Sequence, residues 1–168
     1  MPPPKHLVEY WKNNKSWPKR YIQTSATLNW LLCGIPHNKS DSIWTSVAVK
    51  QFHTFMNTHS VVITKPITLY RGTSVPSPTM SPLADRMITC QYMSTTKSKI
   101  IAEEFKWKKE GYLHVLKCEP GVRLYDFEND YDDDLVKREK EVLVLPGHVL
   151  TIDNIDGHII TWKVSKHK

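Results

Sequence analysis

Cysteine is scarce in this chain. It has three, Cys33, Cys90 and Cys118, far apart and without a Cys-x-x-Cys pair. An odd count with no such spacing argues against a disulfide framework or a zinc site and predicts reduced thiols in a cytosolic setting. Long apolar runs are also missing. None approaches the roughly 20 residues of a membrane helix, so no membrane partner is expected. The first residues, Met-Pro-Pro-Pro-Lys-His, lack the apolar core of a signal peptide, which predicts an intracellular protein. No internal repeat or low-complexity segment interrupts the chain.

What is present is ordinary in amount and uneven in placement. With 168 residues, 40% hydrophobic and 24% charged, the chain fits one globular domain with a real core. Lys and Arg exceed Asp and Glu by 23 to 17, a net charge of +6 that favours anionic partners such as phosphates, a phosphate-bearing cofactor or nucleic acid. Lys5, Lys12, Lys15, Lys19 and Arg20 crowd the amino terminus, whereas residues 126–134 are acidic. Asp130, Asp132, Asp133 and Asp134 lack the central glycine and closing glutamate of a calcium loop. No metal is expected.

Residues 1–60 read as a helical part and 61–168 as a β-rich part. Pro18 suits a first helical turn and Gly34 a helix end. Trp44, Ala48, Phe52, Phe55 and Met56 recur at spacings of three and four, the stripe of an amphipathic helix. Trp11, Trp17 and Trp30 either pack such helices or stack bases. Strands are expected at 67–72, 87–93, 112–118, 122–127, 139–145, 148–155 and 158–164, with a short helix over 97–108. Asp156-Gly157 is a hairpin signal, and Val75–Pro82 is a Pro/Ser loop.

Several strand ends carry polar residues that alternation does not require: Arg71, the hydroxyls Ser94-Thr95-Thr96, and Glu139 with Glu141. On a strand, residues two apart face one way, so the two glutamates would project together. Each also has an ordinary reading, as a surface charge, a helix cap or a solvated carboxylate.

Together, Tyr70-Arg71-Gly72, Met93-Ser94-Thr95-Thr96 with Ala102 and Phe105, and Glu139-Lys140-Glu141-Val142-Leu143-Val144-Leu145-Pro146-Gly147 resemble the Arg, Ser-Thr-Ser and Glu-x-Glu motifs of mono-ADP-ribosyltransferases. The likeness covers about residues 66–165, in the family's order, with Thr96 where the second serine is usual. It implies an α+β fold: amino-terminal helices packed on a core of two mostly antiparallel β-sheets, with an NAD+ cleft. NAD+ would be a substrate, and a target protein carrying an arginine the acceptor.

The resemblance also implies roles. Arg71 would offer its fork of donors to the NAD+ pyrophosphate. Gly72 would let the backbone approach the nicotinamide amide, and Phe105 would flank the ring, or else pack its helix on the sheet. Ser94 would orient the catalytic carboxylate. Thr95 counts among the NAD+ contacts, and Thr95 with Thr96 supports the strand–helix turn. Glu141 would stabilise the oxocarbenium-like state, and Glu139 would orient and deprotonate the acceptor. Tyr21 and Asn29 are candidate NAD+ contacts from the helices. An NAD+ glycohydrolase on the same fold is the near alternative. A basic nucleic-acid-binding module is the distant one, and it leaves Arg71, Ser94, Glu139 and Glu141 unexplained.

Overall fold

A computed structural model of the protein describes residues 28–29, 32–33, 46–106, 110–127 and 140–167. Tyr21, the tryptophans at 11, 17, 30 and 44, the aspartates at 130 and 132–134, and Glu139 lie outside these residues. The chain divides into two compact units, Met1–Ser60 and Val61–Lys168.

In the first unit, helix α1 spans Ser46–His59. Ala48, Phe52, Phe55 and Met56 are buried, as their spacing demands. The hydroxyls of Thr54 and Thr58 donate to the carbonyls of Lys50 and Thr54, four residues back. Asn29 is buried as well.

Among the described residues the second unit shows nine strands and one short helix. The strands are β1 (Val61–Val62), β2 (Ile67–Thr73), β3 (Arg86–Ile88), β4 (Met93–Thr96), β5 (Tyr112–Cys118), β6 (Arg123–Asp126), β7 (Glu141–Val144), β8 (His148–Asp156) and β9 (Ile159–Lys166). Helix α2 spans Lys99–Phe105 and is capped by Ser98, whose Oγ accepts from the Ile101 N–H at 3.4 Å. The strands join in the order β1-β6-β7-β4-β2-β5-β9-β8-β3. One mixed sheet therefore stands where two were expected. All its described ladders are antiparallel except β5–β9.

The single sheet is nearly divided. β2 pairs with β5 over its whole length but meets β4 at one position, Tyr70 opposite Thr96. Side chains from both sides of this junction share one core. It includes Leu69, Leu116, Ile160 and Trp162 from one side and Met93, Leu124, Val142 and Val144 from the other. Alternation explains which residues reach it, since on β9 Ile160, Trp162 and Val164 are buried while Lys163 is exposed.

The expected strand at 87–93 is really two. β3 pairs with β8 at one end of the sheet, and β4 pairs with β2 and β7 near its middle. Between them, buried Gln91 turns inward and accepts the Met80 N–H through Oε1 at 2.8 Å. Cys118 is a free thiol in the core, and burial pushes its pKa up to about 12. Of the three thiols expected to be reduced, Cys118 is the one that is free among the described residues, whereas Cys33 and Cys90 are each oxidised, which corrects that expectation; spacing along the chain does not tell which thiols react. Among the described residues no helix is long and apolar enough to cross a membrane.

Candidate active site

The junction between β2 and β4 is where the polar residues gather. Arg71 follows Tyr70, the last β2 residue in register with β4. Its Nε donates to the Pro78 carbonyl and its Nη1 to the Ser94 carbonyl, both at 2.7 Å. The guanidinium thus spans the gap that the ladder leaves open. Charge-assisted bonds of this length are among the stronger ones in proteins. Two of them in one plane fix the orientation of the cation.

Arg71 lies two residues beyond Leu69, so alternation puts it on the core side of β2, directly across the ladder from His114. Gly72 turns to the other side. A Cβ there would run into the Ala102 carbonyl oxygen, and would lie 2.8 Å from the Lys106 nitrogen and 3.0 Å from the Phe105 carbonyl carbon. The space that Gly72 leaves open is therefore filled by the backbone of α2. The missing Cβ thus serves the packing of α2, a role the motif did not suggest. Phe105 itself is 57% exposed, so more than half of its surface is left clear of packing.

The β4–β7 ladder sets Ser94 opposite Leu143 and Thr96 opposite Glu141. By alternation Ser94, Thr96 and Glu141 share one side of the sheet, with Ser94 and Glu141 diagonal neighbours. Thr95 points the other way. It is buried, and its Oγ1 donates to the Val142 carbonyl at 2.6 Å. That bond ties Thr95 to the neighbouring strand β7. Thr96 Oγ1 accepts the Ser98 N–H at 3.1 Å and shapes the turn into α2, as expected of it.

Glu141 opens β7, but Lys140 before it is not part of the strand. Lys140 has φ 48°, a left-handed conformation uncommon for a residue with a side chain. Its carbonyl accepts the Lys97 N–H at 3.3 Å, and Lys97 Nζ pairs with Asp126 at 2.8 Å. Strand alternation therefore breaks at Lys140, and β7 begins at Glu141 rather than at the expected 139. Glu139 lies outside the described residues.

A polar chain that the motifs gave no hint of runs behind Arg71. Trp162 Nε1 donates to His114 Nδ1 at 3.0 Å. His114 Nε2 lies 2.8 Å from Thr73 Oγ1, which donates to the Val75 carbonyl at 2.7 Å. Burial, and then the neighbouring Arg71, lower the His114 pKa to about 3. The ring is neutral. Since the indole can only donate, Nδ1 accepts and Nε2 carries the hydrogen.

Among the described residues no group of His, Cys, Asp and Glu side chains has the arrangement of a metal site.

The fold is that of the mono-ADP-ribosyltransferases, as the three motifs led us to expect. The ADP-ribosylating toxin BECa of a C. perfringens binary enterotoxin, solved with NADH, superposes with a TM-score of 0.63 at 18% identity, over 94% of this chain and 45% of that one. The eukaryotic mono-ADP-ribosyltransferase ART2.2, solved with NAD, gives a TM-score of 0.63 at 19% identity, over 100% of this chain and 71% of that one. An ADP-ribosyltransferase from Clostridium botulinum gives 0.63 at 13%, over 92% of this chain and 86% of that one. This chain thus spans less than half the length of BECa. No protein-family model and no curated protein sequence matches it.

Proposed function

We propose that the protein transfers ADP-ribose from NAD+ to an arginine side chain of a target protein and releases nicotinamide. The observation that carries this reading is the Arg71 bridge. A cation fixed across the β2–β4 junction lies beside the strand pair that carries Ser94 and Glu141.

In this reading Arg71 is a preset positive charge for the pyrophosphate, with its plane fixed by two carbonyls before NAD+ arrives. Phe105, exposed at the end of α2 and adjoining Gly72, supplies an apolar flank for the nicotinamide ring. The N-glycosidic bond breaks with its electron pair leaving on nicotinamide, and the ribose acquires oxocarbenium character. A carboxylate at Glu141, oriented by Ser94, stabilises that charge more in the transition state than in the ground state. A guanidinium nitrogen of the acceptor then attacks the ribose carbon and gives up a proton to Glu139. Arginine as acceptor rests on the acidic residue at position 139. Water in the acceptor's place gives the glycohydrolase reaction.

Incubating the purified chain with adenylate-labelled NAD+ and an arginine-rich protein tests the reading. Nicotinamide release together with label on arginine is the expected result. Release without label supports the hydrolase, and no consumption of NAD+ overturns both.

A further inference from the structure

We propose that His114 is a positioning residue for Arg71, acting through Thr73 and the chain segment from Val75 to Pro78. The inference rests on the proposed role of Arg71 in binding NAD+, but its geometry stands independently of that role.

Every polar atom in this chain has one available direction. The indole N–H of Trp162 takes the lone pair of Nδ1, which leaves Nε2–H to donate to Thr73 Oγ1. The Thr73 hydroxyl hydrogen then goes to the Val75 carbonyl. Trp162 and His114 are both fully buried, so the first two members are fixed by packing. The chain thus passes a fixed direction from the core to the backbone just beyond β2.

From Val75 the backbone curves back over three residues. The carbonyl of Pro78 accepts from Arg71 Nε at 2.7 Å. Pro76 and Pro78 restrict φ along this arc, and Ser77 and Thr79 are buried. The arc is held at one end by the His114 chain and at the other by Arg71. Loosening the first end moves the carbonyl that orients the guanidinium. A histidine suits the task because one planar ring both accepts and donates. Its neutrality adds no second cation next to Arg71.

The test uses Thr73, which keeps the core intact. Thr73→Val is close to isosteric and removes the hydroxyl, whereas Thr73→Ser retains it. Two measurements are made on the purified, folded protein. The first is hydrogen exchange at the Arg71 Nε–H, assigned by its loss in Arg71→Lys, without NAD+. Thr73→Val should speed this exchange about tenfold, and Thr73→Ser should leave it near wild type. The second is turnover of NAD+. Thr73→Val should raise KM for NAD+ about three- to tenfold with kcat nearly unchanged, and serine should restore it. Unchanged Nε–H exchange in a folded Thr73→Val protein overturns the positioning role. Faster exchange with unchanged KM leaves the positioning standing and counts against Arg71 as the NAD+ contact. If Thr73→Val does not fold, Thr73→Ala, which removes the hydroxyl without adding bulk, is measured in the same way, with faster Nε–H exchange expected and unchanged exchange overturning the role.

Discussion

Arg71 and Ser94 are 23 residues apart, yet the Arg71 Nη1–H donates to the Ser94 carbonyl at 2.7 Å across a junction where the two strands share a single register pair. The bond joins a cation to the backbone of the strand that presents the serine. Replacing Arg71 by lysine keeps the charge and loses the planar fork. Arg71→Lys should raise KM for NAD+ about tenfold or more, and calorimetry should register weaker NAD+ binding. Unchanged affinity would separate this residue from the cofactor.

Glu141→Gln preserves shape and removes charge. Both nicotinamide release and transfer should fall on the order of a hundredfold or more, the scale of one lost preorganised electrostatic group. NAD+ affinity should change far less. Near-normal turnover in this variant would refute the catalytic assignment.

Glu139→Gln should divide the two activities, because Glu141 is untouched. Transfer to arginine is expected to drop steeply while hydrolysis by water largely persists. Parallel loss of both, measured side by side with labelled NAD+, would move Glu139 into bond cleavage.

Gly72→Ala puts a methyl group into the backbone of α2, where a carbonyl oxygen and an amide nitrogen cannot yield as a flexible side chain would. Overpacking of this kind costs about 1–3 kcal/mol. Thermal unfolding should show a lower Tm, with α2 losing amide protection first. A variant as stable as wild type would show that α2 does not lie against Gly72 in solution.

Two buried histidines make stability depend on pH. His114 is lowered to about 3 by burial and Arg71. His148 is also lowered, chiefly by burial, although its bond to the Leu145 carbonyl acts in the opposite direction. The unfolded chain protonates each near pH 6.5, whereas the folded chain does not. Their contribution is complete above that pH and declines as pH falls toward the folded values, by up to ~1.4 kcal/mol per unit for each histidine. Urea midpoints taken between pH 7 and 5 should fall, and His148→Gln should flatten the slope. A midpoint constant over this range would contradict neutral burial.

How far the sequence foretells these features depends on whether the cause is local. Gly111 and Pro120-Gly121 punctuate Tyr112–Cys118, and β5 occupies those very residues. The strand over 67–72 and the Asp156-Gly157 turn are readable for the same reason; Gly157 has φ 58°. By contrast, the strand at 87–93 reads as continuous, because nothing nearby shows that Gln91 turns inward to bind Met80. Lys140 carries none of the usual marks of a left-handed residue, so the Glu-x-Glu spacing reads as strand alternation. The His114–Trp162 bond joins residues 48 apart. A buried histidine in a strand gives no local sign of a partner at that distance.

The parallel pairing of β5 with β9 also has a consequence for how the chain is made. β8 and β3 reach the rest of the sheet only through β9, which ends at Lys166. During synthesis β5 therefore exposes one raw edge until β9 emerges, and such edges recruit other chains. Pairings this distant form slowly, since loop closure must precede any gain from contact. Completion of the sheet falls to β9, and until it arrives the open edge of β5 is where pairing with another chain would start.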